Sequence, residues 1–305
     1  MFRKITSVFL IMMFCFSVIA SAQASVEVPL MGKLAAVEKG LFGQVQSGAI
    51  LERITKAEKL FYGQETSRTM LEKVDFLYDN LFVNINGQAS AWTKANAIEW
   101  AIVHSVTTNP LKVRVETLEN LIEGKQREGS IQERMVYLAN LAFDGGEIHL
   151  KGQIIPADTL VKIKLMTPVE SKTANVGDKI NYQVAEDVLV DGNLVIPKGA
   201  EGIGTVKKVS RSHNFGRDAK IEIDFDTTKA IDGSEILTFL GEKAQKETET
   251  LALAAGATIA GLAILGPVGI VTGAFVKGKE ISIPEGTEMY IQTKSELTIN
   301  GIQVQ

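Results

Sequence analysis

The chain has 305 residues, a formal net charge of −4 and one cysteine, Cys15, with 45% hydrophobic and 22% charged residues. There is no basic surplus to neutralise phosphates, which argues against a nucleic-acid partner. The lone cysteine excludes an internal disulfide framework and thiolate metal sites.

The first elements read as an export signal. Arg3 and Lys4 form a basic n-region, Val8 to Ile19 is an almost unbroken apolar run, and Ala22-Gln23-Ala24 places small residues before a cleavage site after Ala24. This order of features is that of a secretory signal peptide. Phe14 precedes Cys15, where a lipoprotein signal needs a small residue. Cleavage would leave no cysteine and, without Arg3 and Lys4, 30 basic against 36 acidic residues, a net charge near −6. About 280 residues then suffice for two domains held by core burial.

Residues 25–147 carry a 20-residue repeat. Leu51, Glu52, Arg53, Ile54 and Tyr62 align with Leu71, Glu72, Lys73, Val74 and Phe82. Lys33-Leu34, Glu38 and Phe42-Gly43 match Arg53-Ile54, Glu58 and Tyr62-Gly63. The phrase returns at Arg114-Val115, Glu119 and Gly124, then at Arg134-Met135 and Phe143, giving five copies. Such a period points to a repeat architecture. Ile50, Ile54, Ala57 and Phe61 make one apolar helical face, and glycines such as Gly43, Gly63 and Gly124 follow as C-caps. Glu and Arg/Lys are assigned to the outer face. Ser90 to Val106, with Trp92, Ile98, Trp100 and Ile102 on several sides, reads as a separate, more buried helix holding the repeats together. A helix this short needs neighbours. The stripe of Ile54, Phe61 and Val74 therefore belongs either to a bundle or to a partner-binding surface, and those three are the candidate partner contacts.

From Ile148 the pattern alternates, and residues 148–305 read as a β-rich domain. Leu160, Ile163 and Leu165, then Ile180, Tyr182 and Val184, then Ile221, Ile223 and Phe225 mark strands. Asp191-Gly192 suits a type I′ hairpin turn. Asp232-Gly233 and His213-Asn214-Phe215-Gly216 mark further turns. Ile155-Pro156, Ile196-Pro197 and Ile283-Pro284 each open a similar phrase, which implies equivalent corners of a small barrel or sandwich.

Residues 154 to 240 resemble the C-terminal barrel of the TrbI-like subunits of conjugation and type IV secretion machines. The resemblance rests on Ile155-Pro-Ala-Asp-Thr159, Ser171, Gly177, Asp187-Val188, Leu194-Val-Ile-Pro-Lys-Gly199, Gly204 and Gly216-Arg217. It implies a periplasmic antiparallel barrel that sends a helical hairpin into the outer membrane. The N-terminal repeats are foreign to that family, and neither its cytoplasmic tail nor its proline-rich periplasmic stretch is expected from this sequence.

Leu251 to Val276 is an uncharged Ala/Gly-rich insertion, broken at Gly266-Pro267. Ala252, Gly256 and Ala260, and then Gly269 and Gly273, recur at intervals of four. That spacing allows close helix–helix approach in lipid or between subunits, so these five are the candidate membrane or oligomer contacts. A single kinked helix would cross a core of ~30 Å at about 1.5 Å per residue, whereas each arm of a hairpin would be too short. The alternative is a hairpin buried within the fold.

His104, His149 and His213 stand far apart, and no G-x-S-x-G elbow, metal-ligand spacing or phosphate-binding glycine loop is present. The sequence therefore predicts an α+β protein without catalytic, metal or cofactor residues. The expected role is an exported, oligomeric cell-envelope scaffold touching the outer membrane through residues 251–276, with itself or other envelope proteins as partners. The alternative is a soluble periplasmic or surface module that captures a partner on its helical repeats.

Overall fold

The computed structural model describes residues 28–212, 219–254, 263–264, 270–272 and 280–304. The signal-peptide region, the turn at His213–Gly216 and the contact candidates Gly256, Ala260, Gly269 and Gly273 lie outside them. Ala252 lies within a helix whose side-chain environment is described only as far as Leu251.

The described N-terminal half is α1 (Leu30–Phe42), α2 (Ile50–Tyr62), α3 (Met70–Phe82), α4 (Ala91–Val103), α5 (Leu111–Glu123) and α6 (Ile131–Ala142). Helix starts recur every 20 residues, except for a step of 21 from α3 to α4. The segment Ser90 to Val106 is thus itself a copy of the repeat, displaced by one residue. The extra residue falls in the α3–α4 link, where Ile85 and Gln88 form a tight β-bridge. The glycine caps stand as expected: Gly43, Gly63 and Gly124 have φ of 84°, 81° and 72°, a left-handed conformation that only glycine adopts without strain. Helices α3 and α6 instead begin with capping boxes, Thr69 with Glu72 and Ser130 with Glu133.

The repeating acids are not on the outer face. Glu38, Glu58, Glu99 and Glu119 are buried, and each ties together three points of the chain. Glu119 accepts hydrogen bonds from the Arg127 amide at 3.1 Å and from Arg134 Nε at 2.9 Å and Nη2 at 2.5 Å. Glu38 accepts from the Gln46 amide at 3.1 Å and from Arg53 Nε and Nη2, both at 2.7 Å. Glu58 does so with Thr66 at 3.2 Å and Lys73 at 2.7 Å, and Glu99 with Thr107 at 2.8 Å and Arg114 Nε at 3.0 Å. The bonds to Glu38 and Glu119 hold the Arg53 and Arg134 guanidiniums above the ordinary arginine range. A charge enters a core only when it is paired and hydrogen-bonded, and each carboxylate here meets that condition.

Helices α1–α3 and α4–α6 form two storeys related by a shift of 61 residues, Leu30 to Ala91 and Met70 to Ile131. The storeys meet end to end. A Cβ on Gly43 would lie 2.8 Å from Pro110, which caps α5, and one on Gly63 would lie 3.4 Å from Ser130, which caps α6. Helix α3 leads into α4. Leu34, Val37, Leu41, Ile54, Phe61, Val74 and Leu77 fill the upper storey, and Leu111, Val115, Leu118, Ile131 and Leu138 fill the lower.

After a short 3₁₀ turn at Asp144–Gly146, strands run from β1 (Leu150–Ile155) to β14 (Leu297–Gln303). Six of them close into a barrel through antiparallel pairs: β8 (Lys220–Lys229), β7 (Glu201–Ser210), β4 (Lys179–Val184), β2 (Leu160–Leu165), β13 (Glu288–Thr293) and β9 (Glu235–Phe239). The last strand returns to β8. The alternation holds as read: Ile163, Leu165, Ile180, Tyr182, Val184, Ile223 and Phe225 fill the barrel. The Tyr182 hydroxyl donates to the Thr227 carbonyl at 3.0 Å and meets the hydroxyls of Thr228 and Thr238. Burial pushes its pKa up to about 12.

A second sheet has the order β1-β14-β6-β5, with β5 (Val188–Val190) and β6 (Asn193–Ile196) forming the Asp191-Gly192 hairpin. The Ile-Pro phrases are the equivalent corners expected. They pass the chain from β1 to β2, from β6 to β7, and from β12 (Ser282–Ile283), which pairs with β3 (Val169–Glu170), to β13. Thr159 and Thr287 hydroxyls donate to the Pro156 and Pro284 carbonyls at 2.8 Å and 2.7 Å.

The apolar insertion departs from a continuous helix. Helix α7 (Glu242–Ala254) enters it, but Ala263–Ile264 (β10) and Ile270–Thr272 (β11) are strands, and β11 extends the barrel sheet along β8 at Lys220–Glu222. Ile270-Val271-Thr272 is a β-branched run and favours a strand. No helix among the described residues is long and apolar enough to cross a membrane.

Removing one partner of a buried pair strands the other charge, which costs about 3–5 kcal/mol. Glu119→Ala is expected to lose that much in urea denaturation followed by helical circular dichroism. Exposed Glu128→Ala should change stability by less than about 0.5 kcal/mol.

Candidate functional site

Helix α4 joins the two halves through polar bonds. Its Thr93 hydroxyl donates to the Asp232 carbonyl at 3.2 Å, Asn96 Nδ2 to the Ile231 carbonyl at 2.9 Å, and Trp100 Nε1 to Asp187 Oδ2 at 2.9 Å. Asn84, just before it, adds a bond to the Asp232 carbonyl at 2.9 Å, and the Val106 amide donates to Lys198 at 2.8 Å. Gly199 makes this last approach possible. Its φ is 85°, and a Cβ there would stand 2.1 Å from the Val106 carbonyl oxygen. The Asp232 carboxylate fixes the turn from inside, accepting from the amides of Ser234 at 3.0 Å and Asn300 at 2.8 Å. The helix read as holding the repeats together therefore also fastens them to the barrel.

Beside this seam lies a cleft of about 800 Å³, walled by α1, α3 and α4 on one side and by the Pro197–Glu201 and Lys229–Gly233 turns on the other. Tyr78, Phe82 and Trp92 run along it, with ring centroids 5.4 Å and 5.9 Å apart. Asn96 and Pro110 complete the helical wall, and Lys39 and Lys229 contribute cations. Buried Arg114 backs this wall. It bonds Glu99 and, through Nη2, Asn96 Oδ1 at 2.9 Å, while its guanidinium carbon stands 5.3 Å from the centre of the Trp92 ring. Burial pulls its pKa down, and Glu99 opposes that shift. A concave surface between modules, aromatic with a few polar groups, has the character of a ligand or peptide site.

Ile54, Phe61 and Val74 are core residues of the bundle and present no surface to a partner in the folded chain. The apolar side chains that α2 and α3 do expose are Ile50, Leu51, Met70 and Leu71, at the helix starts. His104 caps α4 with its ring edge-on to Trp100, and His149 stands at the surface beside Glu147. Among the described residues no three His, Cys, Asp or Glu side chains gather as a metal site. Neither the cleft nor the exposed helix starts is signalled by a motif, since both arise only when the storeys and the barrel pack together.

No family model matches the chain, and no curated protein does. Among solved structures, ComB10 of the Com type IV secretion system of Helicobacter pylori is similar over 48% of this chain and 89% of its own, at 18% identity and a TM-score of 0.27. A likeness at that level establishes neither a shared fold nor a shared role. The C-terminal β-barrel implied by the resemblance to TrbI-like subunits is present in its own right.

Asn96 serves both Arg114 and the Ile231 carbonyl, so Asn96→Ala leaves two buried polar groups short of a partner. The expected loss is about 1–3 kcal/mol. Melting followed by the fluorescence of Trp92 and Trp100 at the seam should then precede melting of the barrel, whereas a single transition is expected of the unsubstituted chain.

Proposed function

We propose that this protein is a non-enzymatic scaffold of the cell envelope, exported by its first 24 residues, that self-associates or holds other envelope proteins. The observation that carries the reading is the exposed apolar rim at the helix starts of the upper storey, on a body whose four buried repeat glutamates are each committed to a structural ion pair. Met31, Leu51 and Leu71 recur at 20-residue intervals on that rim. An exposed apolar patch repeated in register marks an interaction surface. In this reading the Ala/Gly-rich segment 251–276 supplies contact with the outer membrane, and the barrel carries it.

A second reading, a soluble envelope module that binds a partner, is favoured by the aromatic cleft between bundle and barrel, which has the size of a ligand pocket.

Fractionation of cells expressing the whole chain tests the first reading. Recovery in an alkali-resistant membrane fraction, turning soluble when residues 251–276 are deleted, is the expected outcome. A full-length chain that stays in the cytosol contradicts export. A soluble periplasmic chain favours the binding module.

A further inference from the structure

The storey–storey contact inside the bundle shows what fits its two free ends. Leu111 and Ile131 open α5 and α6 and are fully buried (0% exposed), where the upper storey's helix ends lie against them. Their upper-storey equivalents, Ile50 and Met70, are 37% and 44% exposed. The opposite end repeats the pattern. Phe61, in the last turn of α2 where the upper storey meets the lower, is 3% exposed, whereas its equivalent Ile122, in the last turn of α5, is 41% exposed. Each end of the stack therefore displays the unmade half of an interface that the molecule makes once internally.

The rim is not built as a terminating cap. End repeats of stacked proteins carry a polar outer face. Here Leu51 and Leu71 stand where the lower storey has Lys112 and Gln132. At the other end, the glycine cap of α5 is open: a Cβ on Gly124 would meet nothing within 4 Å, whereas one on Gly63, its equivalent, would meet Ser130 at 3.4 Å.

We infer that the rim of one molecule docks on the α4–α5 end of a second copy, head to tail, reproducing the contact between its own storeys. Within one chain, Gly43 of α1 meets Pro110 of α5 and Gly63 of α2 meets Ser130 of α6. Carried forward by one storey, the rule sets Thr69 of the second copy against Gly124, and its Ala49 against His104. Thr69 and Ser130 are matching capping-box residues, so the incoming helix start has the same chemistry at both levels. The surfaces that meet are different, which makes the contact heterologous, and repetition yields a ring or a filament rather than a closed dimer. The inference rests on the scaffold reading and names one of its partners.

Sedimentation of the chain from Ser25 onward tests it. The mass is expected to climb with concentration past that of a dimer. The rim variant L51E/L71E and the end variant I122E should each stay monomeric with unchanged circular dichroism, because the substituted side chains are exposed. Mixed in equal amounts, they should form a dimer and nothing larger, since each retains one working face. An independent measurement avoids charged substitutions. L71C and K125C proteins, otherwise free of cysteine, should give a disulfide-linked heterodimer when mixed and oxidised, and neither alone should do so. A monomer at every concentration, or an I122E protein that still assembles, overturns the inference. A monomer still recovered with the envelope would leave the scaffold reading standing. Assembly by a chain that never reaches the envelope would do the reverse.

Discussion

One carboxylate, repeated, sets the geometry of the helical half. In α1, α2, α4 and α5 a buried glutamate near the helix end accepts from a backbone amide eight residues ahead and from a cation fifteen residues ahead. The first bond fixes the link just past the helix, and the second fixes the start of the next helix. Together they hold the 20-residue period, because a link of another length would leave a charge buried without its partner. Such pairs contribute modestly to net stability, since desolvation offsets much of the Coulomb attraction. Their consequence is specificity: one helix spacing is compatible with burying them.

The exceptions carry the architecture. Helices α3 and α6 have Tyr78 and Ala139 where the other four have glutamate, and at those points the chain leaves the storey. After α3 it takes the 84–90 link and begins the lower storey. After α6 it turns through Asp144–Gly146 into β1. The same helix α4 that opens the lower storey bonds the barrel through Thr93, Asn96 and Trp100, so the repeat, the seam and the cleft share one element. On the barrel side the Pro197–Gly199 corner and the Ile231–Asp232 turn receive those bonds.

Much of this was legible in the chain itself. The 20-residue phrase, the glycine caps, the Asp191-Gly192 hairpin and the three Ile-Pro corners rest on local rules of periodicity and turn chemistry, and they stand where those rules put them. What escaped was decided by packing. A glutamate four residues past an apolar position reads as solvent-facing, because charged residues are rarely buried unless paired. The signal that places it inside is the constant interval of fifteen to an Arg or Lys: Glu38 to Arg53, Glu58 to Lys73, Glu99 to Arg114 and Glu119 to Arg134. The same interval marks α4 as a repeat, which its Trp- and Ala-rich surface and its one-residue displacement conceal. Ile54, Phe61 and Val74 stood out as a stripe because they are core, and the surface lies one turn earlier, at Ile50, Leu51, Met70 and Leu71. The spacing of small residues in 251–276 leaves open one kinked helix or a hairpin within the fold, and the β-branched Ile270-Val271-Thr272 run pairs with β8 as a strand.

The most direct test of the carboxylate account is amide hydrogen exchange at Gln46, Thr66, Thr107 and Arg127. These four lie in links between helices, where amides ordinarily exchange quickly. If the buried glutamates hold the links, all four should exchange as slowly as amides within the helices, and Glu119→Gln should selectively speed exchange at Arg127. Exchange at open-loop rates in the unsubstituted chain would contradict the account.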